Sequence, residues 1–189
     1  VDEYESALLV KALLASPPKL GEVRLLAIDG PSGSGKSTVA AAVMAELRVR
    51  NVSVALVSTD EFATWENPVS WWPRLVEGVL DPLREGRSGC YRRMDWTSGA
   101  PRLGAHVAVE VPEVLILEGV SSGRASIRPS LSHLCWVAGL DPAARLERGV
   151  IRDGESSRKA LIGWQAFERG WFAVDRTGQS AVSSVPPLP

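Results

Sequence analysis

The chain has 189 residues, 45% apolar and 23% charged, with 21 basic against 22 acidic side chains and a net charge of −1. That is enough chain for one domain with a sizeable core. The near-neutral balance leaves no electrostatic footprint for nucleic acid or an anionic membrane surface. Cys90 and Cys135 lie far apart without CxxC spacing, which points to neither a disulfide framework nor a zinc site. They read as two buried or half-buried thiols, and the isolated His106 and His133 read as structural.

Residues 7–15, ALLVKALLA, are apolar but interrupted by Lys11 and preceded by Asp2, Glu3 and Glu5. A signal peptide needs a basic leader, and a membrane helix needs about 20 apolar residues. The segment therefore reads as an amphipathic helix packed on the domain, and the protein as cytoplasmic. The first residue is Val1, which fits removal of something upstream. Residues 23–29, VRLLAID, run apolar into a turn signal and predict a buried strand. From Lys36 the period changes, with Val39, Ala40, Val43, Met44 and Leu47 at helical spacing. Residues 52–58, 113–118 and 133–138 predict three further strands, and helical patterns over 70–85, 141–153 and 158–173 separate several of them. Asp141 as cap and Pro142 at the first position start one of these helices well. The alternation predicts an α/β domain of three layers, a mainly parallel sheet with helices on both faces. Residues 86–112 break the pattern, with β-like pieces at 89–93 and 105–111, and read as a small hairpin insertion that leaves the main sheet. The ending SVPPLP predicts no regular structure. One domain is placed at 1–184 and a loose tail at 185–189, with no repeat or second domain.

Between the first strand and the first long helix stands Gly30-Pro31-Ser32-Gly33-Ser34-Gly35-Lys36-Ser37, a match to G-x-x-x-x-G-K-[ST]. Chance matches arise in about one chain in a hundred of this length. The strand before and the helix after are the context that the motif requires. Backbone N–H groups must converge on an anionic phosphate, and the helix N-terminus adds positive potential at the same place. Gly30, Ser32, Gly33, Ser34, Gly35, Lys36, Ser37 and Thr38 are the candidate ATP phosphate-binding residues. Lys36 would reach the terminal phosphates and the Ser37 hydroxyl would hold Mg²⁺. A guanine-type N-K-x-D is absent around Asn51 and Asn67, and no transporter-type signature is present.

Two carboxylates sit at strand ends. Asp60, in VSTDEF, could orient or deprotonate an acceptor hydroxyl, or could merely cap the strand. Glu61 beside it is the weaker candidate, because it would point elsewhere. Glu118 ends VLILEG, where a magnesium-side acid belongs in this architecture. Arg145, Arg148 and Arg152 share one helix face, and Arg158 lies just beyond a flexible DGESS. They form either an arginine flap over the phosphates, about residues 145–160, or a solvated face partnered by Glu147 and Glu155.

The blocks IDGPSGSGKST, STDEF, LILEG and RLERGVIRD, in that order, resemble the uridine kinase and phosphoribulokinase-like P-loop kinases over about residues 23–175. The resemblance implies ATP with Mg²⁺ and phosphoryl transfer to a small-molecule hydroxyl. It implies Asp60 as catalytic base, with Phe62 in step and Ala63 where the family has tyrosine. It implies Glu118 as the strand-end acid, Arg148, Arg152 and Asp153 as the lid pattern, and Arg158 as a following lid arginine. In YRRMDWTSGAPR, Asp95, Trp96 and Arg102 stand for the family's acceptor-binding aspartate, aromatic and arginine; Met94 replaces a tyrosine and the family's histidine is missing. Trp65, Trp71 and Trp72 could line an acceptor pocket or pack a helix on the sheet, and Trp136 reads as core.

The sequence therefore predicts an ATP-dependent small-molecule kinase, catalysed by Asp60, Lys36 and Arg152, with Ser37 and Glu118 at the metal. Its partners would be ATP and a small hydroxyl acceptor, with neither nucleic acid nor membrane, and a homo-oligomer stays open. The competing classes are an ATP-binding regulatory protein, a slow ATPase and an ATP-dependent component of a larger assembly.

Overall fold

The computed structural model describes residues 3–96 and 101–186. Seven strands and seven helices follow in the order α1 (Glu3–Ala15), β1 (Arg24–Asp29), α2 (Lys36–Val49), β2 (Val54–Ser58), α3 (Trp72–Leu75), α4 (Asp81–Arg84), β3 (Gly89–Asp95), β4 (Arg102–Val109), β5 (Val114–Glu118), β6 (His133–Val137), α5 (Pro142–Asp153), α6 (Arg158–Asp175), α7 (Thr177–Ser180) and β7 (Ser183–Val185). Five strands form one sheet in the order β2-β5-β1-β6-β7, and every pairing in it is parallel. The four strands expected from sequence are all in it.

The runs Leu25–Ile28 of β1 and Val114–Leu117 of β5 are apolar at every position because the sheet is covered on both faces. Leu26, Ile28, Val114 and Ile116 pack with Leu9, Val10 and Leu13 of α1 and Val39, Val43 and Leu47 of α2. The alternate residues Leu25, Ala27, Leu115 and Leu117 pack on the other face with Phe62, Trp71, Trp72, Leu75 and Leu80. This is the three-layer α/β P-loop fold predicted above.

The structure departs from expectation in three places. The helix expected over 70–85 is α3 and α4 joined by a π turn, Val76–Leu80. Pro82 has no N–H to return, so the α ladder is interrupted just before it. The ending expected to lack regular structure, SVPPLP, contributes Ser184 and Val185 to β7, which pairs with Cys135–Val137 of β6. Val185 is buried there, and residues 187–189 of the expected tail lie outside the described residues. Cys90 is exposed rather than buried, 3.6 Å from His106 Nδ1, whereas Cys135 is buried as expected. Of the two roles open to Trp71 and Trp72, packing on the sheet is the one observed: both are buried, Trp71 stacked on Phe62 and Trp72 on Trp71. The insertion is an antiparallel hairpin of β3 and β4, outside the main sheet, with a register shift between Arg92 and Met94. Among the described residues no helix is long and apolar enough to cross a membrane.

Candidate functional site

The ends of β1, β2 and β5 lie side by side, because Ile28 and Ser58 both face Glu118 in the register. In an open parallel sheet the crevice beyond these carboxyl ends is where ligands sit. The loop of residues 30–37 crosses it and opens α2. Gly30, Gly33 and Gly35 have φ of 151°, 75° and 97°. At Gly30 a Cβ would come within 2.3 Å of the Val137 carbonyl oxygen, so this glycine is required by packing as well as by conformation. Lys36 is buried, and its Nζ donates to the Pro31 carbonyl at 3.0 Å, folding the side chain back over the loop. Ser37 and Thr38 are exposed at the first turn of α2. The Ser34 hydroxyl is buried in the loop without a hydrogen-bond partner.

Asp60 lies in a short 3-10 turn, Thr59–Glu61, at the end of β2. Its N–H donates to Ser58 Oγ at 3.3 Å, and Ser58 Oγ donates to Glu118 Oε2 at 3.2 Å. Ser37 Oγ donates to the other oxygen, Oε1, at 3.3 Å. Glu118 is buried, and its carboxyl is held above the usual range, first by desolvation and also by the nearby Asp60 charge, against the pull of Lys36. Such a desolvated carboxylate beside a serine hydroxyl is a site that a cation would relieve. Glu61 turns away from the crevice and accepts from the Tyr91 hydroxyl.

A cavity of about 270 Å³ lies over the loop, bounded by Lys36, Ser37 and Thr38 on one side, by Asp60 and Glu118 on a second, and by Arg148 and Arg152 on a third. Arg152 is held by Asp153 through two 2.7 Å bonds and is drawn further by Asp60 and Glu118, so its guanidinium is bound more firmly to its charge than an ordinary arginine. A second cavity of about 610 Å³ is walled by Ala63, Trp65, Trp96, Leu161 and Trp164. Ser32, Asp60 and Arg152 border both cavities.

The other residues singled out in the sequence stand apart from these walls. Arg158 is clasped by Glu147 and Glu155, the solvated arrangement weighed as the alternative for the arginine face. Asp95 and Arg102 face each other across the end of the hairpin, 3.9 Å between Arg102 Nε and Asp95 Oδ2, and border neither cavity. Thr97–Ala100, between them, lie outside the described residues.

Three features escape sequence reading. Asp29 is fully buried and accepts from the N–H groups of Gly30 at 2.7 Å and Gly123 at 2.8 Å, tying the start of the phosphate loop to the segment after β5. Burial pushes its carboxyl up to about 7 despite those bonds. Arg145 is not on an open face: it pairs with Glu168 at 2.8 Å, with only 6% and 1% of the two side chains exposed. Both hold Ser32. Its carbonyl accepts from Arg145 at 2.9 Å, its N–H donates to Glu168 at 2.9 Å, and its Oγ accepts from Trp164 Nε1 at 2.8 Å. The polar groups of Ser32 are thus spent on α5 and α6. The one hint in the sequence is that Leu161, Gln165 and Glu168 share a helical stripe, polar residues where a core face runs.

No protein-family model matches the chain. A possible uridine kinase from Bacillus stearothermophilus has a similar structure, with a TM-score of 0.69 at 17% identity over 96% of this chain and 97% of that one. A candidate fructose transport system kinase from Silicibacter sp. TM1040 gives 0.68 at 18% identity, covering 96% and 98%. A D-glycerate 3-kinase from Cryptococcus neoformans gives 0.51 at 15% identity, covering 97% of this chain and 72% of that one. Among curated proteins, an uncharacterized kinase of Schizosaccharomyces pombe is 44% identical over 54 residues, 29% of this chain and 20% of that relative's length. The fold is therefore shared with P-loop kinases of solved structure.

Proposed function

We propose that the protein is an ATP-dependent kinase that moves the γ-phosphate of ATP to a hydroxyl of a small molecule. One observation carries the reading: Asp60 and Arg152 border both the cavity over the phosphate loop and the tryptophan-walled cavity beside it. A group transferred between two ligands must pass such a shared wall. The kinase neighbours support the same reading.

In this mechanism the loop amides beyond Ser32, whose N–H is held by Glu168, bind the phosphates together with Lys36. Lys36 leaves the Pro31 carbonyl to reach them. Asp60 accepts the proton of the acceptor hydroxyl as its oxygen bonds to the γ-phosphorus and the bond to ADP breaks. Arg152 and Arg148 offset the charge that spreads over the transferring group. Ser37 and Glu118 would hold Mg²⁺, since a hydroxyl and a carboxylate beside a phosphate cradle form the oxygen donor set that this ion takes. Bound Mg²⁺ would neutralise phosphate charge.

Asp60→Asn tests the proposal. With γ-labelled ATP and a panel of nucleosides, sugars and small alcohols, transfer should fall by about 10²–10⁴. ATP affinity by calorimetry should stay within about threefold. Labelling of compounds at the wild-type rate by the variant refutes the role of Asp60. No labelled compound from the wild-type chain, with an ATP hydrolysis rate that Asp60→Asn leaves unchanged, refutes the kinase reading and favours a slow ATPase or a sensor.

A further inference from the structure

Resting on the kinase reading, we infer that the acceptor is an uncharged, ring-bearing alcohol seated against three tryptophans, and that compounds carrying a carboxylate or phosphate are turned away.

The three indoles come from three separate parts of the chain: Trp65 from the segment after β2, Trp96 from the end of β3 and Trp164 from α6. Trp65 lies 5.8 Å from Trp96 with planes at 70°, and 5.9 Å from Trp164 with planes at 82°. The core aromatics behave differently: Phe62, Trp71 and Trp72 stack with interplanar angles of 26° and 16°, covering one another's faces. The near-perpendicular set instead meets edge to face, and all three rings line a single cavity. Trp65 and Trp96 are 41% and 38% exposed. Large apolar side chains that share one cavity and remain open to water mark a binding surface. Trp164 is fixed in angle by its bond to Ser32.

Charge selects among ligands. Among the residues that line this cavity the ionisable ones are Asp60, Asp153 and Arg152, a balance of minus one. Arg152 already meets Asp153 through two nitrogens. A carboxylate or phosphate on the acceptor would face Asp60 with no second cation among the described lining residues. Thr64, Ser156 and Ser157 also line the space and offer hydroxyls to a polyhydroxy ring. The volume, about 610 Å³, suits a ligand of that size.

The test is ligand-observed saturation-transfer NMR on the full chain with Mg-ATP analogue present, using uridine, D-fructose, myo-inositol and D-glycerate as probes. At least one ring compound should bind, and at least tenfold more tightly than glycerate. The double variant Trp65→Ala/Trp96→Ala, changed at two open positions, should weaken that binding about tenfold, the effect of losing an aromatic contact worth around 1.4 kcal/mol. Glycerate binding as tightly as every ring compound overturns the inference. So does an affinity unchanged in the double variant, or no ring compound binding at millimolar concentration. Calorimetry with ATP in the same samples separates the two levels. Intact ATP binding with a failed acceptor result sinks this inference alone, whereas loss of ATP binding in the wild-type chain sinks the kinase reading beneath it.

Discussion

Glu168→Gln is the sharpest probe of how the phosphate loop is held. In the folded chain one carboxylate oxygen takes Arg145 at 2.8 Å and the other takes the Ser32 N–H at 2.9 Å. With 1% of Glu168 and 6% of Arg145 exposed, no water can replace a lost partner. Glutamine keeps one acceptor oxygen for two donors and turns an NH₂ toward the other. It also leaves the Arg145 charge buried without its counter-charge. Removing one member of a buried pair costs about 3–5 kcal/mol. At 2–4 °C per kcal/mol for a chain of this size, the midpoint of thermal unfolding should fall by roughly 6–20 °C. Calorimetry, and guanidinium unfolding followed by tryptophan fluorescence, read this directly. Arg145→Met combined with Glu168→Leu should recover a large part of the loss, because the desolvation of both charges disappears together. A Glu168→Gln protein within about 1 kcal/mol of wild type would refute the argument, since a surface-like pair is worth that little.

Further outcomes follow from the site. Asp29 holds its proton up to about 7 in the folded chain, while the unfolded chain releases it near 4. The folded state therefore binds more protons across that window. This group's contribution makes stability decline as pH rises from about 4 to 7, by a few kcal/mol in order of magnitude, with the full penalty present above. Asp29→Asn should flatten the pH dependence of the denaturation midpoint, and parallel profiles for the two proteins would contradict the assignment. Arg152→Ala should lower phosphate transfer by about 10²–10³, as removing one preorganised donor does. Arg158→Ala should lower it less than about tenfold, since an exposed pair contributes little. Equal losses in the two arginine variants would mean that Arg158 swings onto the phosphates.

Some of this molecule is plain in its sequence. The runs that became β1 and β5 are legible because a strand buried on both faces needs apolar residues at every position, and the phosphate loop because its backbone demands glycine. The helix-starting Asp141 does cap α5, accepting from the N–H groups of Ala143 and Ala144. What escaped is non-local. β7 is three residues long, two of them serine, and exists because β6 offers it an edge. Asp29 reads as a turn residue, and only the approach of Gly123 from the far end of the chain's middle third makes it a buried fastener. Arg145, read as part of a flap or of a solvated face, meets Glu168 in a buried pair only once α5 and α6 are laid together. Trp164 carries no local sign of its role, which depends on a hairpin and a loop arriving from elsewhere.

The hairpin is seated on the helical segment through two glycines. At its base Gly89 and Gly78 leave no room for a side chain: a Cβ on Gly89 would lie 2.6 Å from the Gly78 oxygen, and one on Gly78 2.7 Å from the Cys90 oxygen. Main chain is thus clamped on main chain where β3 leaves the helical segment, while Trp96 rides at the opposite end. Such a projection is a bolted bracket with an exchangeable fitting. Its outer half can be recut with other side chains while the mounting stays as it is.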